Sequence, residues 1–175
     1  MSITLIHEEL YEGEETDSLN FSEYLERLVD NLFQTYRSGN TSISLNMDLE
    51  ENIFFNMDIA VPLGIVVNEL ISNSFKHAFP DPDKGTIQIK LFKEENACRT
   101  DKELKSKANI NENKNFTLIL SDNGVGIPET FKLEHSDTLG IQLVTTLLEQ
   151  LDASLELKRD SGTEFVIKFS IPDRK

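Results

Sequence analysis

The chain has 175 residues, of which 38% are apolar and 11 are phenylalanine, enough to build the core of one folded domain. Its 17 basic side chains face 31 acidic ones, and a net charge of −14 disfavours nucleic acid and anionic membranes as partners, because the long-range field repels polyanions. A single cysteine, Cys98, excludes an intrachain disulfide and fits a reducing cytoplasm, and no apolar run approaches the roughly 20 residues that span a bilayer.

A first helix is predicted over residues 21–37. Asn20-Phe21-Ser22-Glu23 has the pattern of a helix cap with a reciprocal Glu, and the apolar residues that follow recur at helical spacing. Ser38-Gly39-Asn40 breaks this helix. The alternation of apolar and polar residues over 43–47 then predicts a half-buried strand.

A second helix is predicted from Asp58 to Ala78. Pro62 is compatible with its start, and Phe79-Pro80-Asp81-Pro82 stops it. Its polar residues at positions i, i+4, i+7 and i+8 form a stripe beside the apolar arc, so the core anchors the helix while the stripe faces a cleft. The residues of this stripe are Glu69, Asn73, Lys76 and His77.

The remaining elements follow from alternation and from turn residues. Charged and polar residues 93–114 are interpreted as a mobile hairpin loop to which no function can be assigned, and 128–137 as a second loop. The predicted elements are strands at 86–92 and 115–120, a third helix at 139–151, and a closing hairpin at 154–158 and 164–171.

The polar stripe has the chemistry of a metal–phosphate site. The side-chain oxygen of Asn73 is a hard ligand for Mg²⁺, which keeps several waters and takes other ligands from nucleotide phosphates. Lys76 supplies a point charge to a phosphate, and His77 can donate or accept a hydrogen bond there. For the stripe taken alone, a solvated helix face is the more ordinary interpretation.

Asp122-Asn123-Gly124-Val125-Gly126-Ile127-Pro128 follows the apolar run at 116–120 and places a carboxylate at a strand end. Asp122 could accept from the exocyclic amine of adenine, but it would face the O6 acceptor of guanine, and a buried mismatch of that kind discriminates strongly. Gly124 and Gly126 would permit close backbone approach and positive φ. Taken alone, the string is equally a turn.

Two further glycines complete the pattern. Gly140 lies at the start of the third helix, where outward-pointing amides favour phosphate binding. Thr163, after Gly162, could add a hydroxyl to the hydrogen bonds around Asp122, although a plain hairpin turn explains Gly162 equally well. The chain lacks the Gly-x-x-x-x-Gly-Lys-Ser/Thr pattern, which excludes a P-loop.

These four elements, in this order, resemble the N, G1, G2 and Gly-Thr boxes of the GHKL ATPase superfamily, and most of all those of sensor histidine kinases, over about residues 20–171. The resemblance implies an α/β sandwich, a mixed, mainly antiparallel sheet under three helices, with ATP and Mg²⁺ as ligands. It implies that Asn73 chelates Mg²⁺ and that Glu69 either activates water or orients or deprotonates the phosphoacceptor. The nucleotide-binding residues it implies are Asn73, Lys76, His77, Asp122, Gly124, Gly126, Ile127, Leu139, Gly140 and Thr163.

The stretches at 68–80 and 139–144 resemble the subgroup whose nucleotide domain follows a two-helix dimerisation and phosphoacceptor segment. Residues 1–19 are accordingly interpreted as a remnant of the second dimerisation helix and linker, and 20–175 as the ATP-binding catalytic domain. His7 is not expected to be the acceptor, because only six residues precede it. His135, in a lid at 129–139 that carries no glycine, is interpreted as a solvated loop residue.

The expected function is that of a kinase fragment, monomeric by itself, whose homodimeric parent contains the phosphoacceptor helices and passes the phosphoryl group to a response regulator. Two alternatives remain. One is an anti-sigma-type serine kinase, against which the sequence at 7–11 argues. The other is a non-catalytic nucleotide-binding interaction module of the same fold.

Overall fold

A computed structural model describes residues 18–36, 43–80, 85–94, 113–133 and 138–172. Within these ranges the α-helices are α1 (Phe21–Tyr36), α2 (Met57–Asn73) and α3 (Leu139–Gln150). The strands are β1 (Ser18–Asn20), β2 (Ile43–Leu49), β3 (Phe54–Asn56), β4 (Gly85–Lys93), β5 (Lys114–Asp122), β6 (Ser154–Lys158) and β7 (Thr163–Ile171). None of the helices in the described ranges is long and apolar enough to cross a membrane.

Five strands form one sheet in the order β2-β4-β5-β7-β6. β2 and β4 are parallel, whereas the other three pairings are antiparallel. The three helices pack on one face of this sheet, where alternate strand residues such as Leu118 and Ile167 are fully buried against them. The predicted two-layer sandwich, with a mixed and mainly antiparallel sheet under three helices, is confirmed.

The predicted elements agree with the structure to within about two residues at their ends, but two short strands were not predicted. β1 and β3 pair antiparallel, with Ser18 opposite Asn56 and Asn20 opposite Phe54. Strands of three residues carry too little alternation to be recognised from sequence. Ser18 and Leu19, which were predicted to belong to the linker, are therefore paired with the segment that leads into α2.

The second helix changes character at its end. Its α-helical part stops at Asn73, and residues Ser74–Ala78 form a π-helical turn. Phe79 then leaves the helical region, with φ −122° and ψ 81°, as expected for a residue before proline. The prediction of a helix to residue 78 was therefore correct in extent, but the wider π turn was not foreseen.

Aromatic packing fixes this π turn to α1. The Phe75 ring stacks on Tyr36 with centroids 4.7 Å apart and packs edge-on against Phe33 at 4.7 Å. Phe75 lies between polar residues of the predicted stripe, so its ring anchors the segment that presents them.

Replacing Phe75 with Ala is expected to lower the free energy of unfolding by about 2–3 kcal/mol, since a partly buried ring and two aromatic contacts are lost. Urea denaturation followed by circular dichroism measures this change. Phe54→Ala is the matched control, because the Phe54 ring is 55% exposed, and we expect a much smaller loss there. Equal losses in the two variants would contradict an anchoring role for Phe75.

Several predictions concern residues outside the described ranges. These are the loop over 95–112, the central part of the lid at 134–137 with His135, and the N-terminal segment with His7. Cys98 also lies outside. β4 and β5, which flank the loop, pair antiparallel, as the predicted hairpin requires.

Candidate nucleotide-binding site

A cavity of about 420 Å³ opens between α2, the segment that follows β5 and the start of α3. This volume lies in the range of small-molecule sites. Its walls include apolar side chains of Leu70, Ile141 and Phe165, and its polar groups come from four separate parts of the chain. Nine of the residues predicted to form the site line it: Glu69, Asn73, Lys76, His77, Asp122, Gly126, Ile127, Gly140 and Thr163.

Asp122 is the last residue of β5, and its side chain is 7% exposed. One carboxylate oxygen, Oδ1, accepts from the amides of Gly124 at 3.1 Å and Thr163 at 3.3 Å. The other, Oδ2, accepts from the Ser74 hydroxyl at 2.8 Å. A carboxylate has about four acceptor positions, so these three bonds leave one position on Oδ2 for a ligand.

Thr163 donates a hydrogen bond to Asp122 through its backbone amide. The sequence predicted a hydrogen bond from the Thr163 hydroxyl instead. The two residues are direct partners in the β5–β7 register. The close approach of these two strands requires a glycine at position 162, because its φ is +107° and an added Cβ would overlap the carbonyl oxygen of Asp122.

The two glycines after Asp122 have different roles. Gly126 lines the cavity with φ +76°, as predicted, whereas the prediction of a positive φ is wrong for Gly124. Gly124 packs instead against the π turn, where an added Cβ would overlap the carbonyl oxygen of Ala78. That same oxygen accepts from the amide of Val125 at 2.9 Å. Gly124 thus holds the loop against the end of the helix and does not itself line the cavity.

The polar stripe faces the cavity as predicted. Lys76 and His77 are exposed at its mouth, whereas Glu69 and Asn73 are half-buried. The Asn68 side chain donates to Glu69 Oε1 at 3.4 Å. A Cβ added to Gly140 would lie 2.8 Å from Glu69 Oε2, so the Glu69 carboxylate faces the first turn of α3.

The start of α3 departs from the prediction at Leu139. Its side chain is 80% exposed and is not among the groups that line the cavity. Thr138 and Gly140, on either side, do line the cavity. A helix N-terminus lined by a glycine and a threonine presents amides to an anion.

Several lining residues were not predicted. Ser74 directly follows Asn73, and Phe165 lies two residues after Thr163 on the same face of β7, a spacing that could have indicated it. Pro128 and Phe131 come from the loop after β5, and the Arg159 guanidinium donates to the Phe131 carbonyl at 2.9 Å. Nothing in the sequence indicated this contact.

The polar side chains that line the cavity suit a hydrated magnesium ion better than a metal site built from protein ligands alone. The described residues hold no group of three or more His, Cys, Asp or Glu side chains that could bind a metal. Mg²⁺ usually takes one or two protein ligands and fills its shell with waters and phosphates. One amide oxygen, from Asn73, fits that pattern.

Residues 58–174 match the model of the histidine kinase-, DNA gyrase B-, and HSP90-like ATPases. This chain belongs to that ATPase family. Residues 1–36 match a second family, described as histidine kinase. This second match runs through α1 and so extends past the domain boundary predicted at residue 19.

The relatives of this ATPase-family chain include named sensor histidine kinases. PdtaS of Mycobacterium tuberculosis H37Rv is 28% identical over 177 aligned positions, which cover 99% of this chain and 31% of PdtaS. Blue-light-activated histidine kinase 2 of Erythrobacter litoralis is 24% identical over 149 positions, which cover 85% of this chain and 37% of that kinase. The chain thus spans about a third of the length of these curated relatives.

Solved structures share the fold. The histidine kinase domain of the Erythrobacter litoralis EL346 blue-light-activated kinase superposes with a TM-score of 0.76 at 21% identity, covering 96% of this chain and 75% of that one. The Acinetobacter baumannii histidine kinase AdeS gives a TM-score of 0.60 at 15% identity, covering 97% of this chain and 75% of the AdeS chain. At these identities the likeness concerns the fold alone.

Proposed function

We propose that this chain binds Mg·ATP and acts as the catalytic domain of a sensor histidine kinase, transferring the γ-phosphoryl group to a histidine on a dimerisation segment. The observation that carries this proposal is the carboxylate of Asp122, buried at the floor of a largely apolar cavity with one acceptor position left open. The match of residues 1–36 to a histidine kinase family supports this assignment over a serine kinase.

At the base end, Asp122 would accept from the exocyclic amine of adenine while Ile127, Ile141 and Phe165 pack on the ring. Apolar walls with a few placed polar groups are typical of ligand cavities. The amides of Gly124 and Thr163 hold the carboxylate in place, so its direction does not depend on the ligand.

At the phosphate end, Asn73 would hold Mg²⁺, which would neutralise charge on the phosphates. Lys76 and His77 would contact phosphate oxygens from the cavity mouth, and the first turn of α3 at Gly140 would offer amides. Catalysis of phosphoryl transfer rests mainly on such positioning and electrostatics.

We assign to Glu69 the role of contacting the phosphoacceptor histidine. Its carboxylate faces the first turn of α3, beside the proposed phosphate position. From there it would orient or deprotonate the incoming imidazole. The proposed partners are the dimerisation helices of the parent protein and a response regulator downstream, in the cytoplasm.

Calorimetric titration with a non-hydrolysable ATP analogue, with and without Mg²⁺ and beside its GTP counterpart, tests the nucleotide site. We expect magnesium-dependent, adenine-selective binding, because the open acceptor position faces an amine favourably and a carbonyl unfavourably. Absence of binding at millimolar nucleotide would contradict the proposal and favour an interaction module.

Phosphotransfer is tested separately with radiolabelled Mg·ATP and a supplied histidine-containing dimerisation segment. The expected product carries label that acid releases and alkali does not, as phosphohistidine does. Acid-stable label would indicate a serine kinase, and unlabelled acceptor with intact nucleotide binding would count against the kinase assignment.

A further inference from the structure

Ser74 makes a bond that is unusual for a helical serine. Such hydroxyls commonly donate to a backbone carbonyl one turn earlier, as Thr146 does in α3, where its hydroxyl bonds the Gln142 carbonyl at 2.8 Å. Ser74 donates instead to Asp122 Oδ2 at 2.8 Å, joining the π turn to the end of β5 across 48 positions of sequence. Both residues line the cavity.

Proton counting at this pair restricts what the cavity floor can bind. A hydroxyl has one proton and two acceptor lone pairs, and an ionised carboxylate only accepts. Because the Ser74 proton is committed to Asp122, both groups present acceptors to a ligand. Turning the hydroxyl towards a ligand carbonyl would remove a hydrogen bond from a carboxylate that is 7% exposed, which is costly.

We propose that Ser74 is a specificity-determining residue of the nucleotide site. It holds the Asp122 carboxylate with its open position towards the cavity, and its own oxygen adds a second acceptor beside it. A purine with an amine at position six is then favoured, and one with a carbonyl there is rejected. This inference rests on the proposed function, namely that a nucleotide base occupies this cavity.

Ser74→Ala tests the inference by titration with Mg·ATP and with Mg·ITP, whose base carries a carbonyl in place of the adenine amine. We expect the Kd for ATP to rise about fivefold to tenfold, since one hydrogen bond to a charged group is lost, with little change for ITP. The ratio of the two affinities therefore falls by a similar factor. Ser74→Thr, which keeps the hydroxyl, is expected to restore the ratio.

Ser72→Ala is the matched control, because it removes a buried hydroxyl from the last turn of α2, directly before the π turn, at a position that does not line the cavity. Its affinity ratio should equal that of the unmodified chain. If Ser74→Ala does not fold, Ser74→Cys replaces the hydroxyl with a weaker donor, and a smaller fall of the ratio in the same direction is expected.

An unchanged ATP-to-ITP ratio in Ser74→Ala, or equal weakening of both nucleotides without recovery in Ser74→Thr, would leave Ser74 a structural role only and overturn the inference. Failure of the proposed function has a different signature. In that case the unmodified chain itself would bind neither nucleotide, or would bind both equally.

Discussion

Asp122→Asn is expected to reverse the base preference of the cavity. The Asn oxygen can keep the two amide bonds from Gly124 and Thr163, so the loop retains its supports. The side-chain NH₂ then replaces Oδ2 and points a donor at the base. A donor repels the adenine amine and pairs with the carbonyl of hypoxanthine or guanine. We expect ATP affinity to fall by about 100-fold and ITP or GTP to become the better ligand.

Calorimetry with the three triphosphates in Mg²⁺ measures this reversal. Asp160→Asn is the control, since it makes the same change in charge at an exposed residue that does not line the cavity. A loss of affinity that is equal for all bases would mean that Asp122 supports the loop but does not contact the base. Unchanged ATP affinity would remove the observation on which the proposed function rests.

Asn73→Ala is expected to abolish the magnesium dependence of nucleotide binding. Asn73 lines the cavity and supplies the protein oxygen that we assign to the ion. With that ligand removed, affinity in the presence of Mg²⁺ should fall by about tenfold, in keeping with the loss of one bond to a charged group. Affinity without the metal should stay nearly constant. Paired titrations with and without Mg²⁺ give both values.

Asn31→Ala provides the comparison, because it removes the same side chain from a helix that contributes no residue to the cavity. It should retain the full effect of the metal. If Asn73→Ala also retains that effect, the ion is held by another group. If it weakens binding equally with and without metal, Asn73 contacts the nucleotide directly.

The charge of the chain explains why the site would depend on a metal. A protein with net charge −14 repels a polyanionic nucleotide at long range. Attraction must therefore come from groups within the cavity. Among the described lining residues, Lys76 and the amides in the first turn of α3 supply positive charge or partial charge, and the Lys76 side chain is exposed, where water and salt weaken its effect. A divalent ion on Asn73 would supply the remaining attraction.

Much of the fold was predictable from the sequence because its signals are local. Helical spacing in α1, α2 and α3 and alternation in β4, β5 and β7 each depend on residues close together in the chain. The family resemblance then predicted that the three helices pack against one mixed, mainly antiparallel sheet. For the same reason, nine of the residues predicted for the site lie together along the cavity, because the boxes lie at element ends that meet in this fold.

The tertiary structure alone decided the contacts between distant segments. The Ser74 hydroxyl could have bonded its own helix, and only the approach of β5 directs it to Asp122. The role of Gly124 depends on the carbonyl of Ala78, and the direction of Glu69 on the start of α3. The exposure of Leu139 likewise follows from how α3 is rotated. Composition and spacing determine which elements form, whereas partners and directions of individual polar atoms depend on packing between elements far apart in sequence.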